Sequence, residues 1–305
     1  MKIGILLLTW NGAMDGETPT SRDVVEIAQL CEATGIDSVW LSDHYFFDYA
    51  DFKSVGVEFP SEMHGIKGGS WECWALVSAI AQATNKVGIG TLVSSTSFRN
   101  PALLARTIDT VDDLSNGRLI VGLGAGDYPF ERRIARFEEA IEITSRLLKG
   151  ETVTFDGEFY STKEAALLPK GIRPEGPPLL IGALFGRPRM TRLTLQYGDY
   201  WNCFLAFGEN TVDRYRESWA NLVQASEKHN RDPSTIKRNV TLCVNIADTP
   251  FPIPGSQPIS GSPQAVANSL SEVAAEGIED CTVVLNPFTR AGIEQFAEIA
   301  QRVPR

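Results

Sequence analysis

Short apolar runs alternate with longer segments of helical period along the whole chain, and that alternation restricts the fold more than any single residue does. Residues 3–8 are continuously apolar, the pattern of a strand buried on both faces. Thr20-Ser21 starts a helix with Val24, Ile27, Ala28 and Cys31 on one face, stopped at Gly35. Residues 38–41 are the next strand, and a polar, Gly-containing stretch runs over 43–70. A helix over 71–84 precedes a strand over 87–93. Pro101 opens a helix carrying Leu104, Ile108, Val111 and Leu114 up to Asn116-Gly117. A strand over 118–123 and a helix over 131–148 follow. Four β–α units in about 150 residues indicate a parallel sheet covered by helices.

The second half repeats the theme with interruptions. A hairpin over 152–160 turns at Asp156-Gly157, and 169–178 is a Pro/Gly-rich connection. Strands over 179–181, 200–204, 240–246 and 280–285 alternate with helices over 188–197, 211–229, 264–275 and 291–303. The Pro/Gly/Ser loop at 250–263 is long enough to be functional. Eight strands, each followed by a helix and with no dividing linker, predict an α/β fold. It is a (β/α)₈ TIM barrel, a single domain over 1–305 with inserted loops. A doubly wound sheet fits less well, since the first βα turn is Thr9-Trp10-Asn11-Gly12 and lacks GxGxxG.

Composition removes several function classes. Lys+Arg number 28 against 38 Asp+Glu, a net charge of −10, which argues against a nucleic-acid partner. No apolar run is long enough to span a bilayer, so no membrane partner is expected. The apolar start at Ile3 lacks a small-residue cleavage site, so no signal peptide is expected. The five cysteines (Cys31, Cys73, Cys203, Cys243, Cys281) are widely spaced among apolar neighbours and read as buried thiols of a cytoplasmic protein. Without CxxC or a Cys/His cluster, no metal site is expected.

In a (β/α)₈ barrel, chemistry sits at the C-terminal ends of strands. That rule selects Thr9 and Trp10 after the first strand, Asp43-His44 after the second, and Val93 to Ser95 after the third. Asp43-His44 pairs a carboxylate with a group able to move a proton near neutral pH; a capped turn with a surface His is the other use open to it. His64 lies in the long loop and reads as solvated, and His229 as the charge complement of a helix end. Gly122-Leu123-Gly124-Ala125-Gly126-Asp127 would let backbone approach a planar ligand, or would serve as a tight turn with Asp127 capping the next helix. The run Gly182-Ala183-Leu184-Phe185-Gly186, with Arg187 and Arg189, has the make-up of a phosphate cradle. Arg99 is read as structural, paired with Asp109 or Asp113. Arg132, Arg133 and Arg136 are read as a solvated helix face paired with Glu138, Glu139 and Glu142, with an anionic cofactor tail as the other use open to them. Tyr45, Phe46, Phe47 and Tyr49 either roof a pocket or pack the long loop.

Taken in order, these segments resemble the bacterial-luciferase-like superfamily. The likeness is carried by Val39-Trp40-Leu41-Ser42-Asp43-His44, Gly90-Thr91-Leu92-Val93, Phe98-Arg99-Asn100-Pro101-Ala102 and Leu114-Ser115-Asn116-Gly117-Arg118. Gly122 to Gly126, Arg136-Phe137-Glu138-Glu139-Ala140, Pro178 to Gly182 and Tyr197 to Asn202 continue it over nearly the whole chain. The superfamily is a (β/α)₈ barrel that uses FMN or the deazaflavin coenzyme F420. Asp-His after the second strand resembles the F420-dependent oxidoreductase branch, whereas the flavin monooxygenases more often show Glu-His-His there.

The resemblance implies that Asp43 contacts the deazaflavin edge and His44 lies beside the reactive ring face. It places a non-prolyl cis peptide at Leu92-Val93, a cofactor-contacting hydroxyl at Ser95 and the phosphate loop at Gly182 to Gly186. Asp127 matches a Glu that acts as acid in the sugar-phosphate dehydrogenases of the branch. Three departures stand out: Asp127 is shorter than Glu, residues 128–134 are fewer than the family habit, and Asp48 stands where the glucose-6-phosphate type keeps Trp. The implied activity is hydride transfer between F420 and a small-molecule substrate, by a cytoplasmic homodimer. The alternatives are an FMN-dependent luciferase-like monooxygenase and a non-catalytic flavin-binding barrel.

Overall fold

A computed structural model describes residues 1–55, 57–126, 131–182 and 186–304. Eight parallel strands carry the fold: β1 (Lys2–Leu7), β2 (Ser38–Leu41), β3 (Gly88–Thr91), β4 (Leu119–Gly124), β5 (Leu179–Gly182), β6 (Tyr200–Phe204), β7 (Lys237–Asn245) and β8 (Asp280–Asn286). Each pairs with the next in chain order, and β8 pairs back with β1 through Lys2↔Asp280 to Ile5↔Val283, which closes the barrel. The helices lie outside: α1 (Ser21–Thr34), α2 (Cys73–Ala83), α3 (Pro101–Leu114), α4 (Arg133–Leu148), α5 (Pro188–Tyr197), α6 (Val212–Lys228), α7 (Pro263–Ala275) and α8 (Arg290–Ala300).

Local chemistry sets the helix ends. Thr20 and Asp23 form a capping box on α1, and Gly35 ends it at φ 81°. Asn100 accepts from the Ala102 and Leu103 amides ahead of Pro101 at the first turn of α3. Helix α2 begins at Cys73 rather than at 71, because the Glu72 carboxylate caps it by accepting from the Ala75 amide at 2.6 Å. The strand expected at 3–8 runs Lys2–Leu7.

Strand pairing also fixes which side chains face inward, since paired residues of parallel strands point the same way. Trp40 fills the barrel interior and is fully buried, with Nε1 donating to Ser38 Oγ at 2.9 Å. A Cβ at Gly90 would meet its ring, and one at Gly4 would meet Nε1 at 2.8 Å, so both strands need glycine beside it. Across the barrel, Asn202 Nδ2 donates to Asn239 Oδ1 and Thr241 Oγ1, and Asn239 Nδ2 to Thr282 Oγ1. Three strands are thus stitched by satisfied buried polar groups.

The connection over 169–178 is clamped to α3. Buried Asp109 accepts from Lys170 Nζ at 2.5 Å and from the Gly171 amide, and buried Asp112 binds Arg173. These contacts correct the pairing expected for Arg99, whose partners lie elsewhere. The basic group at the start of α4 also departs from expectation. Arg132 binds Glu158 and, with Arg136, stands over the Phe159 ring, while Arg133 donates to Gly126 O at 2.9 Å. Glu138 binds Arg189 and Arg192, and Glu139 accepts from the amides of Glu158, Phe159 and Tyr160. The hairpin of Val153–Asp156 and Ser161–Ala165 therefore docks on α4, taking partners that helical spacing alone had assigned within the helix.

The long stretch after β2 is not a bare loop. Phe47–Asp48 pairs with Lys67–Gly68, and short 3₁₀ turns cover Tyr49–Val55 and Ser61–Met63. Phe47, Tyr49, Phe52 and Phe59 pack ring against ring, with Phe47–Phe52 centroids 5.3 Å apart. All five cysteines are buried and free. Burial pushes the thiols of Cys31, Cys203, Cys243 and Cys281 up to about 12. Among the described residues, no helix is long and apolar enough to cross a membrane, and no group of three or more His, Cys, Asp or Glu side chains could hold a metal ion.

Candidate functional site

The described residues among those selected by the strand-end rule gather at one mouth of the barrel, where neighbouring strands bring their C-terminal loops together. Asp43 leaves β2 and turns into the protein, only 6% exposed. Its Oδ2 accepts from Ser94 Oγ at 3.1 Å, from the Ser95 amide at 3.0 Å and from Arg99 Nη1 at 2.5 Å, and its Oδ1 from Arg99 Nη2 at 3.2 Å. Ser94 is itself held by Trp74 Nε1 at 2.9 Å. Arg99 also binds Glu72, the cap of α2. Burial works against the Arg99 charge, but the bonds to Asp43 and Glu72 outweigh it and raise its pKa above the ordinary guanidinium value. The same buried setting, with Asp43 nearby, pushes the Cys73 thiol well up and leaves it no nucleophile.

Asp43 is thus the anchor that ties the end of β2 to the loop after β3. His44, the next residue, is half-buried, its ring edge-on to Phe47 at 5.9 Å and 77°. The loop after β3 carries the cis peptide Leu92–Val93. Ser94–Ser95 then pairs with Leu123 and Gly124 of β4. Val93 lies over the glycines of two neighbouring strands: a Cβ at Gly124 would come within 2.5 Å of Val93 Cγ2, and one at Gly182 within 3.4 Å of Cγ1. Gly126, at φ 75°, has Ser95 where its Cβ would be. Ser97 Oγ to Ala125 O at 2.8 Å and Thr96 Oγ1 to Gly124 O at 3.1 Å lash this turn to the β3 loop. Gly124 of β4, Gly182 of β5 and Gly126 after β4 therefore receive Val93 and Ser95 from a neighbouring loop, a use that the sequence pattern alone does not reveal.

Three buried hydroxyls at this mouth, Thr9 Oγ1, Ser42 Oγ and Ser95 Oγ, have no hydrogen-bond partner among the described residues. Buried polar groups are normally satisfied, so such atoms fit a site that receives its partner from a ligand. A flat ring system resting on Val93 above Gly124 and Gly182, beside Ser95, suits this surface. Gly186 and Arg187 close the expected phosphate loop ahead of α5, and Arg187 is exposed. Arg189, the second guanidinium expected there, is committed to Glu138, with Nη2 to Oε2 at 2.6 Å. Asp127 and Ala183, Leu184 and Phe185 lie outside the described residues. His64 is exposed, with a ring nitrogen 3.0 Å from Phe59 O. Tyr45 and Phe46 are exposed, while Phe47 is buried in the aromatic cluster.

Sequence reasoning missed Arg99 and Ser94 as the holders of Asp43, and Ser42 as a third orphaned hydroxyl. Arg99 lies 56 residues from Asp43. The available signal was strand order: consecutive barrel strands place their following loops side by side.

A model of the luciferase-like monooxygenase family matches residues 1–251. An F420-dependent glucose-6-phosphate dehydrogenase of Amycolatopsis mediterranei is 33% identical over 224 residues, covering 68% of this chain and 61% of the relative. One of Gordonia bronchialis is 31% identical over 245 residues, covering 75% and 66%. The matches thus span just under two thirds of each relative's own length. Among solved structures, an F420-dependent secondary alcohol dehydrogenase with an F420-acetone adduct superposes with a TM-score of 0.78 at 20% identity, covering 100% of this chain and 99% of the other. The F420-dependent tetrahydromethanopterin reductase of Methanopyrus kandleri gives 0.73 at 16%, covering 99% and 98%. A monooxygenase of Streptomyces bottropensis gives 0.74 at 18%, covering 98% and 97%. These three likenesses speak for the barrel fold.

Proposed function

Since this chain belongs to the luciferase-like monooxygenase family, we propose that within it the chain is an F420-dependent oxidoreductase that transfers a hydride between the deazaflavin and a small organic substrate. The observation that carries this reading is the pairing of sequence likeness with site make-up. Relatives about a third identical are F420-dependent dehydrogenases, and the Asp43-His44 pair stands at the mouth beside Val93 and the orphaned Ser95 hydroxyl.

The residues present fit such a group. Val93 would support its ring, with Gly124 and Gly182 leaving Val93 room. Leu92 and Ser95 would line its edge. The Gly126 turn would hold Ser95 in place, and the loop from Gly182 through Ala183, Leu184 and Phe185 to Gly186 and Arg187 would bind its anionic tail. Asp43 keeps this surface in register through Ser94, Ser95 and Arg99. When bound, the deazaflavin supplies C5, a carbon that accepts or releases a hydride. His44 does the acid–base work: its imidazole gives a proton to the substrate oxygen as a carbonyl is reduced and takes it back in the reverse direction. Asp127 is proposed as a second acid.

We read the 305 residues as one domain, acting in the cytoplasm with its buried thiols reduced. Its partner is a second copy of itself, and exposed Leu103 and Leu114 on α3 offer apolar surface for that contact. A monomer by light scattering at micromolar concentration would overturn the dimer.

The test of the cofactor is a pair of fluorescence titrations, one with F420 and one with FMN. Saturable F420 binding with weak or no FMN binding is expected. Tight FMN binding without F420 binding would favour the monooxygenase chemistry for which the family model is named.

A further inference from the structure

The inward-facing residues of β6, β7, β8 and β1 set the character of half of the mouth. Asn202, Asn239, Thr241 and Thr282 face the barrel interior, since they bond one another across it. Trp201, one residue from Asn202, packs instead on Tyr215 and Trp219 of α6. Two residues further toward the mouth on the inner face stand Phe204 on β6, Cys243 on β7 and Val284 on β8. The pairing of Gly4 with Thr282 puts Leu6 of β1 in the same layer. None of these four carries a charge. Phe204 is half-buried while the strand behind it is buried, and its ring stands 4.9 Å from Phe207 on the following loop.

The loops above this half extend the pattern. Residues 8–20, 205–211, 246–262 and 287–289 follow β1, β6, β7 and β8 and contain no Lys, Arg or His. Their charged residues are all acids: Asp15, Glu17, Glu209 and Asp248. They contribute half-exposed apolar groups, among them Trp10, Phe251 and Ile253. The cations of the mouth lie on the other half, after β2 to β5. Of these, Lys53 is bonded to Glu58, Arg99 to Asp43 and Glu72, and Arg132 to Glu158.

A phosphate monoester brings close to two negative charges and is normally held by guanidinium, ammonium or converging N–H groups. The loops of the half formed by β6, β7, β8 and β1 offer no guanidinium or ammonium group: their charged side chains are acids, and Asn245 and Asn286, the last inward-facing residues of β7 and β8, are bonded to each other. We infer that the substrate of this chain is a neutral, apolar ketone or alcohol seated against Phe204, and not a sugar phosphate. The inference rests on the deazaflavin reading for the chemistry, but its binding surface can be read without the cofactor.

The probe is 6-propionyl-2-(dimethylamino)naphthalene, a neutral aryl ketone whose emission moves to the blue in apolar surroundings, titrated into the full chain with and without F420. Saturable blue-shifted emission is expected, displaced by 2-acetylnaphthalene and unaffected by glucose 6-phosphate at millimolar concentration. Phe204→Ala should weaken the probe at least about fivefold, and Phe204→Leu less than about twofold. Both should leave the F420 titration and the melting temperature near wild type. Should Phe204→Ala not fold, Phe207→Ala reads the same surface with the same expected loss. Displacement of the probe by glucose 6-phosphate, or unchanged probe affinity in the alanine variant, would overturn the inference. Probe binding with the Phe204 dependence but no F420 binding would support the substrate class and overturn the deazaflavin reading instead.

Discussion

The buried Asp43 carboxylate is held where Arg99, the Ser94 hydroxyl and the Ser95 amide converge on it. Removing the cation alone strands the carboxylate. Arg99→Met is therefore expected to cost about 3–5 kcal/mol in urea unfolding, and a loss under about 1 kcal/mol would show that the pair is not what holds the two loops together. His44 makes a different prediction, because its neighbour and not itself bears the structural load. His44→Ala should keep F420 affinity within about threefold while turnover falls about a hundredfold or more; unchanged turnover would remove the imidazole from the chemistry. At the N-terminal end of β8, burial raises the Asp280 pKa, opposed by the Lys2 charge and a bond from Tyr200. A raised folded-state value means the native protein binds this proton more readily than the unfolded chain. Its charged form thus destabilises the fold once pH climbs through the raised value. The melting-temperature gain of Asp280→Asn over wild type should be small below about pH 4 and grow toward neutrality, and a constant gap would contradict this. Residue identities at the site were legible because the strand-end rule names them. The bonds between them were not, since Arg99 was matched to carboxylates on the helix that follows it and only the closed strand order brings it to Asp43.

Elements were easier to read than contacts. Continuous apolar runs such as 38–41 and caps such as Asn100-Pro101 state their conformation locally. The ribbon of Phe47–Asp48 with Lys67–Gly68 is two residues long on each side and leaves no period to detect. The hairpin over 153–165 was visible, yet its docking on α4 through Glu139, Arg132 and Arg136 was not, because helical spacing offers those side chains nearer partners. Glycines in strands carried a signal whose meaning depended on the neighbouring strand. Gly90 exists because Trp40 occupies the space of its Cβ. Gly90→Ala forces the buried indole to move and should destabilise the barrel by about 1–3 kcal/mol or more in chemical unfolding. A neutral effect would mean that Trp40 has room the packing does not show. Gly124→Ala should instead push Val93 and weaken F420 binding more than it lowers the melting temperature, read by titration beside thermal unfolding.

For the whole molecule, a net charge of −10 would have to coexist with the anionic cofactor proposed. The distribution of cations bears on this locally. The loops after β2 to β5 hold the mouth's arginines and the glycine surface under Val93, whereas the loops after β6, β7, β8 and β1 contain no Lys, Arg or His. On the reading proposed, the first half would take the flat cofactor and the second a neutral substrate, which would place the two side by side at one barrel mouth. Sequence order made the barrel legible because every unit repeats one pattern. The division of its mouth became legible only when strand pairing assigned each side chain to the inside or the outside. Isotope transfer tests this arrangement most directly. F420 reduced with deuterium at C5 is mixed with the protein and 2-acetylnaphthalene under ¹⁸O₂, and the product is analysed by mass spectrometry. One deuterium on the carbinol carbon and no ¹⁸O is the predicted result. Incorporation of ¹⁸O without deuterium at that carbon would contradict hydride transfer and assign the barrel to oxygenation.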